Sequence, residues 1–316
     1  MVARRSPRRA GGRAIALLAD GLDMRVLSGL VDGPIALSPL RRAVGAPPPT
    51  TLRNHLRRLE DAGLLARCRA DDFPRQTKIG LLEPGRRLLS VADRLTGWLA
   101  LRPNGSVLLG TPTSHAVLTA LVDGWSSSVI RALADAPLSL VQLDRRIPGL
   151  DYPTVVRRID ALKVAGLVQA RRPIERVIPY APTDWLGRAI LPLVEAARWE
   201  REASLSPPVP VRAADVEAAL LLAAPRIRVA AEISGNCRLV VAFGDRAAAG
   251  VVLRIDRGRV VTMRTDLSHF ATASISGGVA AWTSAVLDSE PDGLIVRGNH
   301  RLARPVLDSL SRRGRV

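Results

Sequence analysis

The sequence predicts a multidomain α+β chain, helical through its first two thirds and strand-rich in the last, and three observations carry that expectation. The chain repeats itself at a fixed offset, and each copy carries the punctuation of three helices and a hairpin. Beyond a proline-rich stretch the apolar periodicity changes from helical to alternating. A length of 316 residues is also more than one ordinary domain uses.

The repeat sets Asp20-Gly21 on Asp123-Gly124, an offset of 103 (123 − 20), which holds without a gap to Leu65 on Val168. Identical pairs include Val26/Val129, Leu30/Leu133, Pro34/Pro137, Leu40/Leu143, Thr51/Thr154, Leu59/Leu162 and Gly63/Gly166. In the first copy, Leu22–Val31 reads as a helix stopped by Asp32-Gly33-Pro34. Ser38 is expected to cap a short second helix, Pro39–Val44. Gly45-Ala46-Pro47-Pro48-Pro49 forms the turn. Thr50 or Thr51 then caps a third helix, whose Leu52, Leu56, Leu59 and Ala62 recur at the spacing of one buried face and which Gly63 ends. Leu64–Arg69 and Gln76–Leu82 follow as two strands. The second copy repeats the plan with helices Ser126–Ala134, Leu140–Ile147 and Thr154–Ala165, then strands around Arg172–Arg176.

Two helices joined by a tight turn, the second with an Arg-rich exposed face and a basic hairpin after it, make the layout of a winged helix-turn-helix. That fold lays its third helix in the major groove of double-stranded DNA and sets the hairpin on phosphate or in the minor groove. The candidate DNA-binding residues are Thr50, Thr51, Arg53, Asn54, Arg57 and Arg58 on the first third helix, Arg69, Arg75 and Lys78 on its hairpin, and Arg157 and Arg158 on the second. Arg58 is placed either to touch DNA or to pair with Asp61 or Glu60, and His55 either to read or to pack. A solvated charged face is the bland alternative for the whole helix. Arg4, Arg5, Arg8 and Arg9 form a basic tail, expected to be disordered over residues 1–13.

These residues resemble a known family. Asp32-Gly33-Pro34, Leu37-Ser38-Pro39-Leu40-Arg41-Arg42-Ala43, Thr51-Leu52 and Leu56-Arg57-Arg58-Leu59-Glu60-Asp61-Ala62-Gly63-Leu64 look like the HxlR-type branch of the MarR-like winged-helix transcriptional regulators. Leu82-Glu83-Pro84-Gly85-Arg86 resembles that family's strand-to-helix turn, with Pro84 a departure. The likeness is close over residues 14–101 and looser over 119–202. It implies a transcriptional regulator; members dimerise to present two reading heads, whereas here both heads are expected on one chain, as a pseudo-dimeric monomer or a homodimer.

Ser204-Leu205-Ser206-Pro207-Pro208-Val209-Pro210 reads as a linker. After it, Arg238–Gly244, Ala248–Ile255, Val260–Arg264 and Leu294–Arg297 are strand-like, and helices are expected over Ala214–Ala223, Gly277–Asp288 and Arg301–Ser311. The hairpin Val251–Met263, Ala273-Ser274-Ile275-Ser276-Gly277 with Ala281-Trp282, and Leu294-Ile295-Val296-Arg297-Gly298-Asn299 make this part similar to the sterol carrier protein 2-like (SCP2-like) fold, although the usual Gly-Asp before the last helix is Gly298-Asn299 here. The resemblance implies an apolar tunnel for a fatty-acyl or sterol-like effector. Trp282 is the one ligand-binding candidate, with a plain core role as its alternative. The expected division is a basic tail 1–13, winged-helix domains 14–110 and 111–203, a linker 204–211 and an α+β domain 212–316.

Charge supports a polyanionic partner: 46 basic residues stand against 29 acidic, a net +17. Residues 1–110 hold 19 basic and 9 acidic side chains and residues 111–211 hold 12 and 10, so the first copy is the stronger candidate for phosphate contact. His55, His115, His269 and His300 sit in different regions, and no phosphate loop or nucleophile elbow is present. Asp266 near His269 reads as a loop pair. The expectation is a non-enzyme without cofactor or metal. Cys68 and Cys237 are far apart, no apolar run spans a bilayer and the Arg-rich start lacks a leader's apolar segment, so a cytoplasmic chain without membrane contact is expected.

Overall fold

The computed structural model describes residues 10–69, 77–122, 124–134, 136–147, 149–173, 177–203, 210–244 and 246–311, with the backbone alone at 69, 124–127 and 134. The chain forms two compact units. One gathers Gly11–Thr119 with the described part of Glu195–Pro208; the other gathers Ala120–Val194 with the described part of Val209–Val316.

The first unit contains α1 (Gly12–Ala19), α2 (Gly21–Ser28), β1 (Ile35–Ala36), α3 (Leu37–Ala43), α4 (Pro49–Asp61), β2 (Leu65–Arg69), β3 (Thr77–Leu81), α5 (Glu83–Ala100) and the start of α6 (Pro112–Val122). Its core is aliphatic: Ile15, Leu18, Val26, Leu27, Leu40, Leu52, Leu56, Leu59, Leu88 and Leu95 are all but fully buried. The strands form an antiparallel sheet of order β1-β3-β2, with Leu65 opposite Leu81 and Ile35 opposite Ile79. Gly12 and Arg13, expected in a disordered tail, are already helical. The reason lies far along the chain, where the carboxylate of Glu200 accepts the N–H groups of Gly11 (2.8 Å), Arg13 (2.6 Å) and Ala14 (3.0 Å) and so caps α1. Arg4, Arg5, Arg8 and Arg9 lie outside the described residues.

The second unit opens with α7 (Gly124–Ala134), α8 (Leu140–Arg146), α9 (Tyr152–Val164), β4 (Val168–Ala170), β5 (Tyr180–Pro182) and α10 (Asp184–Arg188). The offset of 103 carries the ends of α3 onto those of α8 and the ends of α4 onto those of α9 (140 − 37 and 152 − 49). Both third helices end in the same way. Gly63 at φ 68° and Gly166 at φ 81° break them, and Leu64 and Leu167 donate to Leu59 (3.0 Å) and Leu162 (2.8 Å). Even the β1 contact recurs, as a bridge between Leu138 and Tyr180. Two expected caps shift. α3 starts at Leu37 without Ser38 capping it, and α4 starts at Pro49 after Pro48, so Thr50 and Thr51 lie inside the first turn. Pro49 is pre-organised for the first helical position, and the cap positions fall on Ala36 and Pro48, which carry no side-chain acceptor. Ser139 and Asp151 do cap the two counterparts.

After α11 (Ile190–Glu202) and α12 (Ala213–Ala223) come β6 (Gly235–Phe243), β7 (Arg246–Asp256), β8 (Arg259–Arg264), β9 (Ala273–Gly278), α13 (Val279–Thr283), β10 (Ile295–Gly298) and α14 (His300–Ser311). The five strands form one sheet, β10-β9-β6-β7-β8, antiparallel except for β6 beside β9. Gly277 and Gly278, expected to open a helix, instead end β9; α13 then winds into a π turn at Ser284–Asp288.

Compactness groups this sheet with the second three-helix unit, differently from the boundary read at 204–211, of which residues 204–209 lie outside the described set. The physical reason is α12, whose Val216, Leu220, Leu221 and Leu222 are buried and which packs on both α7 and β7. Glu217 seals the joint. One of its oxygens accepts the Gly250 N–H at 3.2 Å and the other meets Arg131 Nε at 3.0 Å. Gly250 admits no side chain, because a Cβ there would lie 2.2 Å from the Leu239 carbonyl.

Candidate nucleic-acid interface

The helix pair α3–α4 is held at its turn by arginines. Arg25 Nε donates to the Val44 carbonyl at 3.0 Å and Arg41 Nε to the Pro47 carbonyl at 2.8 Å. Between them Gly45 (φ 92°) and Ala46 (φ 51°) take left-handed backbone, which lets the chain reverse within a few residues. The turn fixes where α4 starts. The burial of Leu52, Leu56 and Leu59 then fixes its roll, because residues at this spacing share one face.

The opposite face carries the reading candidates. Thr50, Arg53, Asn54 and Arg57 are exposed and Thr51 is half-buried in the first turn. Among the described residues Arg53 and Arg57 form no ion pair, so their guanidinium groups are available to an external anion. On the hairpin, Lys78 is half-buried in β3, the side chain of Arg69 lies outside the description, and Arg75 lies outside the described residues. Arg67, not predicted as a site residue, leaves β2 to meet Glu60 of α4 at 2.7 Å and ties helix to hairpin.

Arg58 departs from the expected pattern. It pairs with neither Asp61 nor Glu60; its Nη2 donates to Asp20 Oδ2 at 3.0 Å and to Asp23 Oδ2. His55 joins the same group, its Nδ1 2.6 Å from Asp23 Oδ1. Asp20 also caps α2, accepting the N–H groups of Leu22 (3.0 Å) and Asp23 (3.1 Å). Asp23 is fully buried, and that burial pushes its carboxyl above the usual range despite His55 and Arg58. Asp20 sits below it, because the Asp23 N–H, Arg58 and His55 together outweigh its own partial burial. Asp20, Asp23 and His55 offer ligand atoms within 4.8 Å of one another, the spacing of a metal site, but the guanidinium of Arg58 supplies the cation on these carboxylates. No periodicity marks this contact in the sequence, since 35 residues separate Asp23 from Arg58.

The counterpart face on α9 differs. Arg157 is exposed and Arg158 half-buried; Asp160 stands at the position of Arg57, and exposed Tyr152 and Val164 add apolar surface. Trp282 is fully buried and its indole N–H donates to the Val240 carbonyl at 2.7 Å, a satisfied core tryptophan between helix and sheet. Asp266 and His269 meet at 3.4 Å in an exposed loop.

No described helix is long and apolar enough to cross a membrane. A search of the curated proteins finds no match. Residues 18–68, from the end of α1 into β2, match the helix-turn-helix domain family. That span contains α2, α3, the pinned turn and α4, and it supports a DNA-binding regulator with DNA as a partner.

Proposed function

We propose that the chain is a cytoplasmic transcriptional regulator of the HxlR type, within the MarR-like group, carrying two winged-helix units and a C-terminal SCP2-like domain that senses an apolar small molecule. The observation that carries the reading is the exposed row Arg53, Asn54 and Arg57 on a helix whose start and roll are fixed by the turn and by three buried leucines. Arginine and asparagine are the side chains that pair bidentately with guanine and adenine edges in the major groove. The matching element ends of α3/α8 and α4/α9 support the second winged helix, and the five-stranded sheet with its covering helices supports the SCP2-like assignment. A fatty-acyl or sterol-like effector would act by favouring one arrangement of the reading heads, as a monomer with two heads or as a homodimer. In this reading the protein performs no catalysis and needs no cofactor or metal.

A second reading has its own support. Asp160, Tyr152 and Val164 give α9 a surface better suited to protein contact than to phosphate, so the second unit serves as an interaction module. In its extended form the whole chain is a lipid- or acyl-binding module whose winged helices do not bind specific DNA. Titrating the full chain against a duplex of its own upstream region and a shuffled duplex, over a range of salt, decides between them. Preference for the upstream duplex supports the regulator. Equal affinity for both points to nonspecific packaging, and no binding to either leaves the interaction module.

A further inference from the structure

We propose that Asp20 and Asp23 determine specificity by withholding Arg58 from the DNA backbone: two carboxylates, one capping α2 and one in its first turn, hold a guanidinium of α4 that would otherwise grip phosphate without regard to sequence. The inference rests on the reading that α4 meets DNA.

One nitrogen, Arg58 Nη2, serves both acids, and about half of the Arg58 side chain remains exposed (51%), so the group is restrained and not enclosed. Arg58 follows Arg57 directly and lies one turn beyond Asn54, at the spacing that puts two side chains on neighbouring surface. Released, its long stem would reach the same flank of the groove as Asn54. Held, it sits beside two carboxylates, and that flank carries no net positive charge to spend on any phosphate that passes.

The pairing of Arg58 with Asp23 is not repeated in the second copy. At the offset of 103, Asp20, Asp23, His55 and Arg58 become Asp123, Ser126, Arg158 and Ala161. Yet α9 has the same length and register as α4 and buries Val155, Ile159 and Leu162 where α4 buries Leu52, Leu56 and Leu59. The same helix length and register therefore form without an aspartate at the position of Asp23 or an arginine at the position of Arg58. A buried ionic group is seldom a net source of stability, because desolvation offsets most of the attraction. What the clamp adds is control over where a positive charge goes.

The test is a double-mutant cycle on the full chain: Asp20→Asn with Asp23→Asn, Arg58→Ala, and all three, each titrated with the upstream duplex and a shuffled duplex at several KCl concentrations. The acid-to-amide pair is expected to steepen the salt dependence by about 0.9 in log K against log[KCl], the signature of one added phosphate contact. It is also expected to tighten binding to the shuffled duplex several-fold more than to the upstream one, and adding Arg58→Ala should cancel both effects. A gain that survives Arg58→Ala would overturn the proposal, since it would then come from removing acids in general. So would no gain at all, or a loss of about one phosphate contact from Arg58→Ala alone. If the double amide fails to fold, Asp20→Asn by itself, at the more exposed acid, decides by the same criteria. Failure of the unmodified chain to bind any duplex refutes the DNA reading itself, and this proposal with it.

Discussion

Replacing Arg53 and Arg57 together by alanine isolates the charge of the α4 face proposed to meet DNA. Both side chains are exposed, and neither forms an ion pair among the described residues, so their loss breaks no internal contact there. Alanine is the better helix former, and surface changes of this kind move stability by no more than about 0.5 kcal/mol. Binding is another matter. Two lost phosphate-range cations lower the salt slope by about 1.8, and at about 1 kcal/mol per contact the pair weakens the complex roughly 30-fold near physiological salt. Fluorescence anisotropy with the upstream duplex at four or five KCl concentrations measures both quantities, and circular dichroism confirms the fold. An unchanged slope and affinity in the folded variant would refute the assignment of this face. Arg157→Ala, on the counterpart helix, reports in the same assay whether α9 also touches phosphate.

Glu200→Ala removes the acceptor of three N–H groups at the start of α1 and is expected to cost about 1–3 kcal/mol, read as lost hydrogen-exchange protection at Arg13 and Ala14 and a lower urea midpoint. Burial raises the Glu200 carboxyl above its ordinary 4.5 despite those three donors, so the folded state binds its proton more tightly than the unfolded state does. Stability therefore falls as pH rises from 4.5 through the shifted value, and Glu200→Gln should flatten that decline. Burial pushes the Cys237 thiol up to about 12, whereas Cys68 is exposed, so a disulfide reagent at pH 8 should titrate one thiol in the native protein and two in denaturant. Glu217→Ala leaves the Gly250 N–H without that carboxylate and should destabilise the second unit by about 3 kcal/mol or more; Arg131→Ala, at the half-exposed end of the pair, should cost less.

Much of the fold was legible because it rests on local rules. Leucines three and four apart announced the buried side of α4, and glycines needing left-handed backbone announced where α4 and α9 stop. The self-alignment at 103 then turned two weak patterns into one strong one, down to the ends of the helices. What escaped was decided at long range. Glu200 caps a helix 186 residues away from it, and nothing near Gly12 in sequence signals an ordered start. The caps read at Ser38 and at Thr50 or Thr51 lie inside the helices, because α3 begins at Leu37 and α4 at Pro49. The grouping of the second three-helix unit with the sheet depends on α12 being apolar on more than one side, which composition alone presents as an ordinary buried helix.

The candidate site shows why a surplus of arginine is a poor guide to which arginines act. The first 110 residues carry ten more basic than acidic groups, the surplus that makes the first copy the stronger candidate for phosphate contact. Within it, however, Arg25 and Arg41 hold carbonyls at the turn, Arg67 holds Glu60, and Arg58 answers two aspartates. All four are positive at neutral pH, yet each donates to an acceptor inside the fold, and a guanidinium so engaged must break that contact before it can hold a phosphate. Arg53 and Arg57 face no such exchange among the described residues. The difference between α4 and α9 follows from the same reasoning: where α4 presents Arg57, α9 presents Asp160, so a phosphate that approached Arg157 would meet a carboxylate one turn of helix away. A change of one exposed residue thus reverses the local charge, and Asp160→Arg is the substitution that would put a cation on α9 at the position of Arg57.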